Sequence, residues 1–169
     1  MAQIDDASLA DGCGLGDVWS EWLLHLRHGD DPKFEGVLRQ GTIKYADRIL
    51  DHTDLAPGMT LVDVGTGDGL VAFRAIERIG PSIQVFMTDV SPAMIRHAQV
   101  LAAARRLSDQ CRFVVAKAER LIGIGDKTAD ALTTRSVLAY VPDKASALQE
   151  FRRVLKPGGR LSIAEPIPR

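Results

Sequence analysis

Cysteine is scarce in this 169-residue chain: Cys13 and Cys111 are its only two, far apart and in no CxxC or Cys/His spacing. That argues against a disulfide framework and a structural zinc site, and it fits a reducing, cytoplasmic setting. An excess of either charge is also lacking, since 21 Lys and Arg nearly cancel 22 Asp and Glu and no segment gathers a basic stripe. The electrostatic footprint of a nucleic-acid binder is therefore missing, and a small, weakly charged substrate is expected. Long apolar runs are absent as well; nothing approaches the roughly 18 consecutive apolar residues of a membrane span. The acidic start around Ile4, Asp5, Asp6 and Asp11 has neither the basic residues nor the apolar run of an export signal. The expectation is a protein that is neither secreted nor membrane-spanning.

What the chain does have is 46% hydrophobic residues, enough for one substantial core and too short a length for two ordinary domains. The first 16 residues carry aspartates and glycines without apolar period and read as a lead-in. Two helical patterns follow, one with Trp19, Trp22, Leu23 and Leu26 on one face. The other starts after Pro32, with Phe34, Val37, Leu38, Gly41, Tyr45 and Ile49 on one face. Residues 1–54 are expected to form this lead-in and a helical flank or cap, and residues 55–169 the core.

After the turn Ala56-Pro57-Gly58 the pattern becomes short apolar runs alternating with amphipathic helices, the signature of βαβ units around a parallel sheet. The runs are Thr60–Val64, Ile83–Thr88, Cys111–Ala116, Asp130–Thr134 and Gly159–Ala164. Between them lie helices marked by Ala72, Ala75, Ile76 and Ile79, and by Met94, Ile95, Ala98 and Leu101, the second capped by Ser91 with Pro92 at its first position. A last helix has Asp143 as its cap and a stripe of Leu148, Phe151 and Leu155, and Pro157-Gly158-Gly159 is expected to stop it. The fold class is α/β, a doubly wound, mainly parallel sheet with helices on both faces.

The most informative stretch is Leu61-Val62-Asp63-Val64-Gly65-Thr66-Gly67-Asp68-Gly69, a strand running into glycines at a helix start. Glycine permits a tight turn and close backbone approach, and the helix N-terminus offers unpaired N–H groups, so a nucleotide-like ligand is implied. Asp89, 20 residues beyond Gly69, stands where a carboxylate accepts hydrogen bonds from ribose hydroxyls in this topology. A nicotinamide enzyme would share these features. Its fingerprint, laid over Gly65 and Gly67, needs Gly or Ala where this chain has Leu70, and Asp63 and Asp68 would repel a pyrophosphate. S-adenosylmethionine (SAM) has no phosphate and carries a cationic sulfonium and an ammonium group, which such acids attract.

Over residues 55–166 the chain resembles the class I SAM-dependent methyltransferases, in particular the ubiquinone/menaquinone-type and small-molecule group. The resemblance rests on VDVGTGDG (62–69), TDVSPAMI (88–95), FVVAKAERL (113–121), DALTTRSVLAYVPD (130–143) and FRRVLKPGGRLSIAEP (151–166), in this order and spacing. It implies strand order 3-2-1-4-5, SAM as cofactor and S-adenosylhomocysteine as product. It also implies that Asp63, Gly65 and Gly67 line the methionine end, with Thr66, Asp68 and Gly69 completing the loop. Asp89 would bind the ribose, Val90 and Met94 would flank the adenine, and Lys117, Ala118 and Glu119 would meet its edge. Arg135 and Ser136 would sit where cofactor and substrate meet. Lys117 departs from the family, which commonly has an aspartate there to accept from the adenine amino group; lysine has no acceptor to offer.

Methyl transfer asks little of side chains beyond alignment, and the candidates for a base are Tyr140, His25 and His28. His25 and His28 have helical i, i+3 spacing, yet nothing completes a metal ligand set, and no metal is expected. Trp19, Trp22 and Tyr45 read first as packing residues, and Glu165 as a solvated strand end. The resemblance further implies two more strands that this chain does not contain, so Gly159–Ala164 is expected at an apolar sheet edge, favouring a homo-oligomer through that edge or through the N-terminal helices. Beside a small-molecule methyltransferase, two alternatives stay open: a non-catalytic or truncated SAM-binding domain needing a partner, and an NAD(P)-dependent oxidoreductase.

Overall fold

A computed structural model describes residue 41 and residues 43–165. The first helix pattern, His25, His28, Trp19 and Trp22 fall outside the described residues. A helix over residues 43–50 (α1) leads into β1 (Thr60–Val64), followed by α2 (Leu70–Ile79), β2 (Gln84–Asp89) and α3 (Pro92–Ala104). Then come β3 (Cys111–Val115), β4 (Ala129–Arg135), α4 (Lys144–Val154) and β5 (Leu155–Ala164). Among the described residues the strands form one sheet of order β3-β2-β1-β4-β5, with every pairing parallel. The expected α/β class and strand order are observed.

The central strand β1 is buried on both faces from Leu61 to Val64, as parallel strands covered by crossover helices must be. One apolar layer joins Leu61, Val85, Met87 and Ala131 to Ala72 and Ile76 of α2, Ala98 of α3, and Ala46 and Ile49 of α1. The opposite layer joins Val62, Val64 and Leu132 to Ala147, Phe151 and Val154 of α4. Chain direction reverses its march across the sheet between β1 and β4, so a topological switch point lies at their carboxyl ends, where open α/β sheets bind ligands. Helix α1 is tied to α2 by Arg74, whose Nε and Nη2 donate to Asp47 at 2.8 and 3.1 Å, and to β5 by Ser162 Oγ donating to the Ile49 carbonyl at 2.9 Å.

The caps agree with the sequence: Ser91 Oγ accepts from the Met94 N–H at 3.1 Å, and Asp143 accepts from the Ser146 N–H at 3.0 Å. Two expectations on the last unit are corrected. Leu148 is 44% exposed, and the inward stripe is Ala147, Phe151 and Val154. Pro157-Gly158-Gly159 does not stop the helix, which ends at Val154 and passes straight into β5 at Leu155. The Pro-Gly-Gly segment instead makes an irregularity inside β5, where pairing jumps from Ala129↔Leu155 to Ala131↔Arg160. Asp130, opposite this bulge, accepts from the Thr60 N–H at 2.8 Å and from Lys156 Nζ at 2.8 Å, which pins the bulge to the base of β1.

Candidate functional site

The carboxyl ends of β1, β2 and β4 bring together most of the residues singled out above. From the end of β1 the chain turns through Gly65, Thr66 and Gly67 to Gly69 before entering α2. Gly65, Gly67 and Gly69 have φ of +67°, +54° and +78°, the left-handed region in which a Cβ is costly. At Gly65 and Gly69 packing reinforces the requirement: a Cβ on Gly65 would strike Val137 Cγ2, and one on Gly69 would strike the Phe73 ring and lie 2.7 Å from Met87 Cε. Asp68 Oδ1 accepts from the Leu70 N–H at 3.3 Å, which occupies one of the donors at the start of α2.

Three acids shape this end of the sheet, each differently. Asp63 is fully buried, with Oδ1 accepting from Thr133 Oγ1 at 2.7 Å and Oδ2 from Thr66 Oγ1 at 2.8 Å. Burial pushes its carboxyl up to about 6, opposed by the hydrogen bonds from Thr133 and Thr66 and by the positive charge of Arg135. Asp89, at the end of β2, accepts from the Gly67 N–H at 3.0 Å and from the Ser91 N–H at 3.0 Å. It thus braces the glycine loop against the start of α3 and sets its carboxylate beside the loop. Asp68, half-buried, accepts from the start of α2.

Val90 is exposed beside Asp89, whereas Met94, its expected partner, is fully buried on α3. Lys117 is exposed and Ala118 buried, and the Arg120 N–H donates to the Lys117 carbonyl at 3.0 Å in a tight turn after β3. Glu119 sits half-buried on that turn. Arg135 ends β4, and Ser136 follows with φ of +55°. Tyr140, 58% exposed, lies on the short 3₁₀ turn Leu138–Tyr140 at the same end of the sheet. Among the described residues no group of three or more His, Cys, Asp or Glu is placed to hold a metal, and no helix is long and apolar enough to cross a membrane.

Sequence reasoning missed Thr133 as the second brace of Asp63, and it misjudged Glu165. The pattern did carry a signal for Thr133: two adjacent threonines, Thr133 and Thr134, are buried in β4 just before its end at Arg135, and Thr133 is the register partner of Asp63. Glu165 is not a solvated strand end, because its carboxylate accepts from the backbone N–H groups of Val137, Leu138 and Ala139 at 2.9, 2.9 and 3.3 Å.

The donor and acceptor set suits a cationic nucleoside better than a dinucleotide. Asp63, Asp68 and Asp89 cluster at the loop, and a phosphate there would meet like charge in a partly dehydrated setting. Comparison with known proteins agrees. A family model described as a methyltransferase domain matches residues 55–167. Nocamycin O-methyltransferase of Saccharothrix syringae is 34% identical over 123 residues, 73% of this chain and 43% of that protein. The ubiquinone/menaquinone biosynthesis C-methyltransferase UbiE of Brucella anthropi is 38% identical over 109 residues, 64% of this chain and 41% of that protein. The crystal structure of geranyl diphosphate C-methyltransferase from Streptomyces coelicolor A3(2), in complex with Mg2+, geranyl diphosphate and S-adenosyl-L-homocysteine, aligns with a TM-score of 0.66. It is 26% identical, over 71% of this chain and 44% of that one. The chain thus spans about two-fifths of the length of the curated relatives it matches.

Proposed function

The chain belongs to the methyltransferase-domain family, among the class I SAM-dependent methyltransferases, and from that premise we propose that it transfers a methyl group from SAM to a small organic acceptor. The observation that carries the reading is the glycine loop rimmed by acids, with Asp89 holding the Gly67 N–H and Asp63 buried behind it. SAM supplies an already activated methyl group, which passes to a nucleophilic atom of the acceptor and leaves S-adenosylhomocysteine. The chain's own task is alignment. Asp89 is assigned to the ribose hydroxyls, and the loop from Gly65 to Gly69 to the amino acid end. Val90 and the turn Lys117 to Glu119 are assigned to the adenine, and Arg135 and Ser136 to the boundary with the acceptor. Tyr140, exposed on the turn after β4, is the described residue assigned to accept a proton from a hydroxyl or acidic carbon.

Calorimetry with SAM, S-adenosylhomocysteine and NADH, followed by a methyl-transfer screen over small phenols, acids and amines, tests the reading. Binding of the two sulfur nucleosides with turnover is expected; binding of NADH alone would overturn it. We also infer a homo-oligomer built through β5 or through the N-terminal helices, in a cytoplasmic protein. Among the described residues β5 lies at one edge of the sheet, and Leu161 and Ile163 on it are 39% and 43% exposed, a surface that suits pairing with a second copy. Light scattering is expected to give more than the monomer mass, and L161K to lower it; a monodisperse, fully active monomer would overturn this assembly.

A further inference from the structure

The Glu165 carboxylate accepts from backbone N–H groups. Oε1 takes the N–H groups of Val137 and Leu138, and Oε2 that of Ala139, so three consecutive amides converge on one residue at the end of the neighbouring strand. The segment it holds begins at Ser136, a non-glycine residue in the left-handed region with φ of +55°, whose own N–H donates to the Ala164 carbonyl at 2.8 Å. Such a backbone is unfavourable by itself and persists where the surroundings impose it. The held segment then reaches the glycine loop: Val137 Cγ2 occupies the space a Cβ on Gly65 would need, so the valine is seated directly on that loop.

We infer that Glu165 is a positioning residue that seats the turn after β4 on the glycine loop and thereby sets the geometry of the cofactor site. The inference rests on reading the loop as the SAM site. Glu165 acts through Val137, and Gly65 is the point where its effect is felt. Releasing the three amides lets Ser136 relax to an ordinary φ and lifts Val137 from Gly65, opening the wall between Arg135 and the loop.

The test compares E165A and E165Q with the parent, by amide NMR, by hydrogen exchange and by calorimetry with S-adenosylhomocysteine. In E165A the amides of Val137, Leu138 and Ala139 are expected to exchange at least about tenfold faster, in keeping with loss of charge-assisted hydrogen bonds. The Gly65 amide resonance is expected to move although Glu165 does not touch it, and ligand affinity to fall by about the same factor. E165Q keeps one acceptor oxygen and is expected to fall between, which also provides a variant should E165A fold poorly. An unshifted Gly65 resonance with parental affinity in either folded variant overturns the inference. A parent protein that binds no S-adenosylhomocysteine overturns the functional reading instead; exchange and the Gly65 resonance then still decide whether Glu165 seats the turn.

Discussion

Asp63→Asn should make the protein more stable at neutral pH and less able to bind its cofactor. The carboxylate is fully buried and braced by two threonine hydroxyls, yet burial still raises its carboxyl from the ordinary 3.8 to about 6. Its folded value lies above its unfolded one, so stability is fully present below the unfolded value and is lost as pH rises through the folded value. The difference of about two units, at about 1.36 kcal/mol each, makes the ionised aspartate destabilising by about 3 kcal/mol above pH 6. Asparagine has the same shape and no charge, and Thr66 and Thr133 can turn their hydroxyls to meet its amide. Rearranging those bonds costs about 1 kcal/mol at any pH, leaving a net gain of about 2 kcal/mol at pH 8 that turns into a loss of about 1 kcal/mol below pH 4. Urea denaturation of both proteins at pH 4 and pH 8 measures it. A stability difference that stays constant between those two values would refute the account, because it would show that Asp63 carries no ionisation penalty. The same substitution removes negative charge behind the loop and should weaken S-adenosylhomocysteine binding, so stability and binding move in opposite directions.

Three other perturbations separate the roles of neighbouring residues. Asp89→Asn removes the charge beside the loop while keeping one acceptor oxygen, and calorimetry should show S-adenosylhomocysteine affinity lower by about 1.5–3 kcal/mol; parental affinity would reject the ribose assignment. Gly67→Val places a branched side chain at φ of +54° and should abolish ligand binding while circular dichroism keeps its helical signal; parental affinity in a folded variant would show that the loop does not touch the ligand. Asp47→Ala undoes the tie between α1 and α2 and should lower stability by about 1 kcal/mol in urea denaturation, since both partners are partly exposed. Hydrogen bonding from Arg74 holds the Asp47 carboxyl below the usual range, so the difference should be present above the ordinary carboxylate range and fade in stronger acid.

The parts of the fold that follow from periodicity were legible, and those that depend on tertiary partners were not. β1 was read to the residue, and β2, β3 and β4 to within a residue or two, because each is a short apolar run; in the central strand β1 the run stops where burial on both faces stops. The end of α4 escaped because Pro-Gly-Gly serves equally as a helix stop and as a bulge, and only pairing with Ala129 and Ala131 decides between them. Leu148 was placed inward by its apolarity, whereas Ala147 and Val154 lie on the arc that faces the sheet. In the site, the glycines and acids announced themselves by type and spacing. Glu165 did not, since its partners are three backbone amides from a segment 26 to 28 residues away, and backbone groups leave no mark in a sequence.

The acids at the carboxyl end of the sheet share a chemistry and differ in their surroundings, and the difference decides what the site can hold. Asp63 is desolvated and hydrogen-bonded to hydroxyls, so it braces the loop from behind and bears a cost for being charged. Asp68 sits over the first turn of α2, where a negative charge meets the favourable end of the helix dipole. Asp89 gathers two backbone N–H groups from two elements, which fixes its carboxylate at the edge of the loop. A dinucleotide site built on a strand, glycine turn and helix leaves the amides and dipole at that turn for a pyrophosphate. Here acids meet the Gly67 and Leu70 N–H groups, so the field at the turn favours a ligand with positive charge. That preference needs only the electrostatics of these three residues, and it selects the sulfonium nucleoside over the nicotinamide one on the same scaffold.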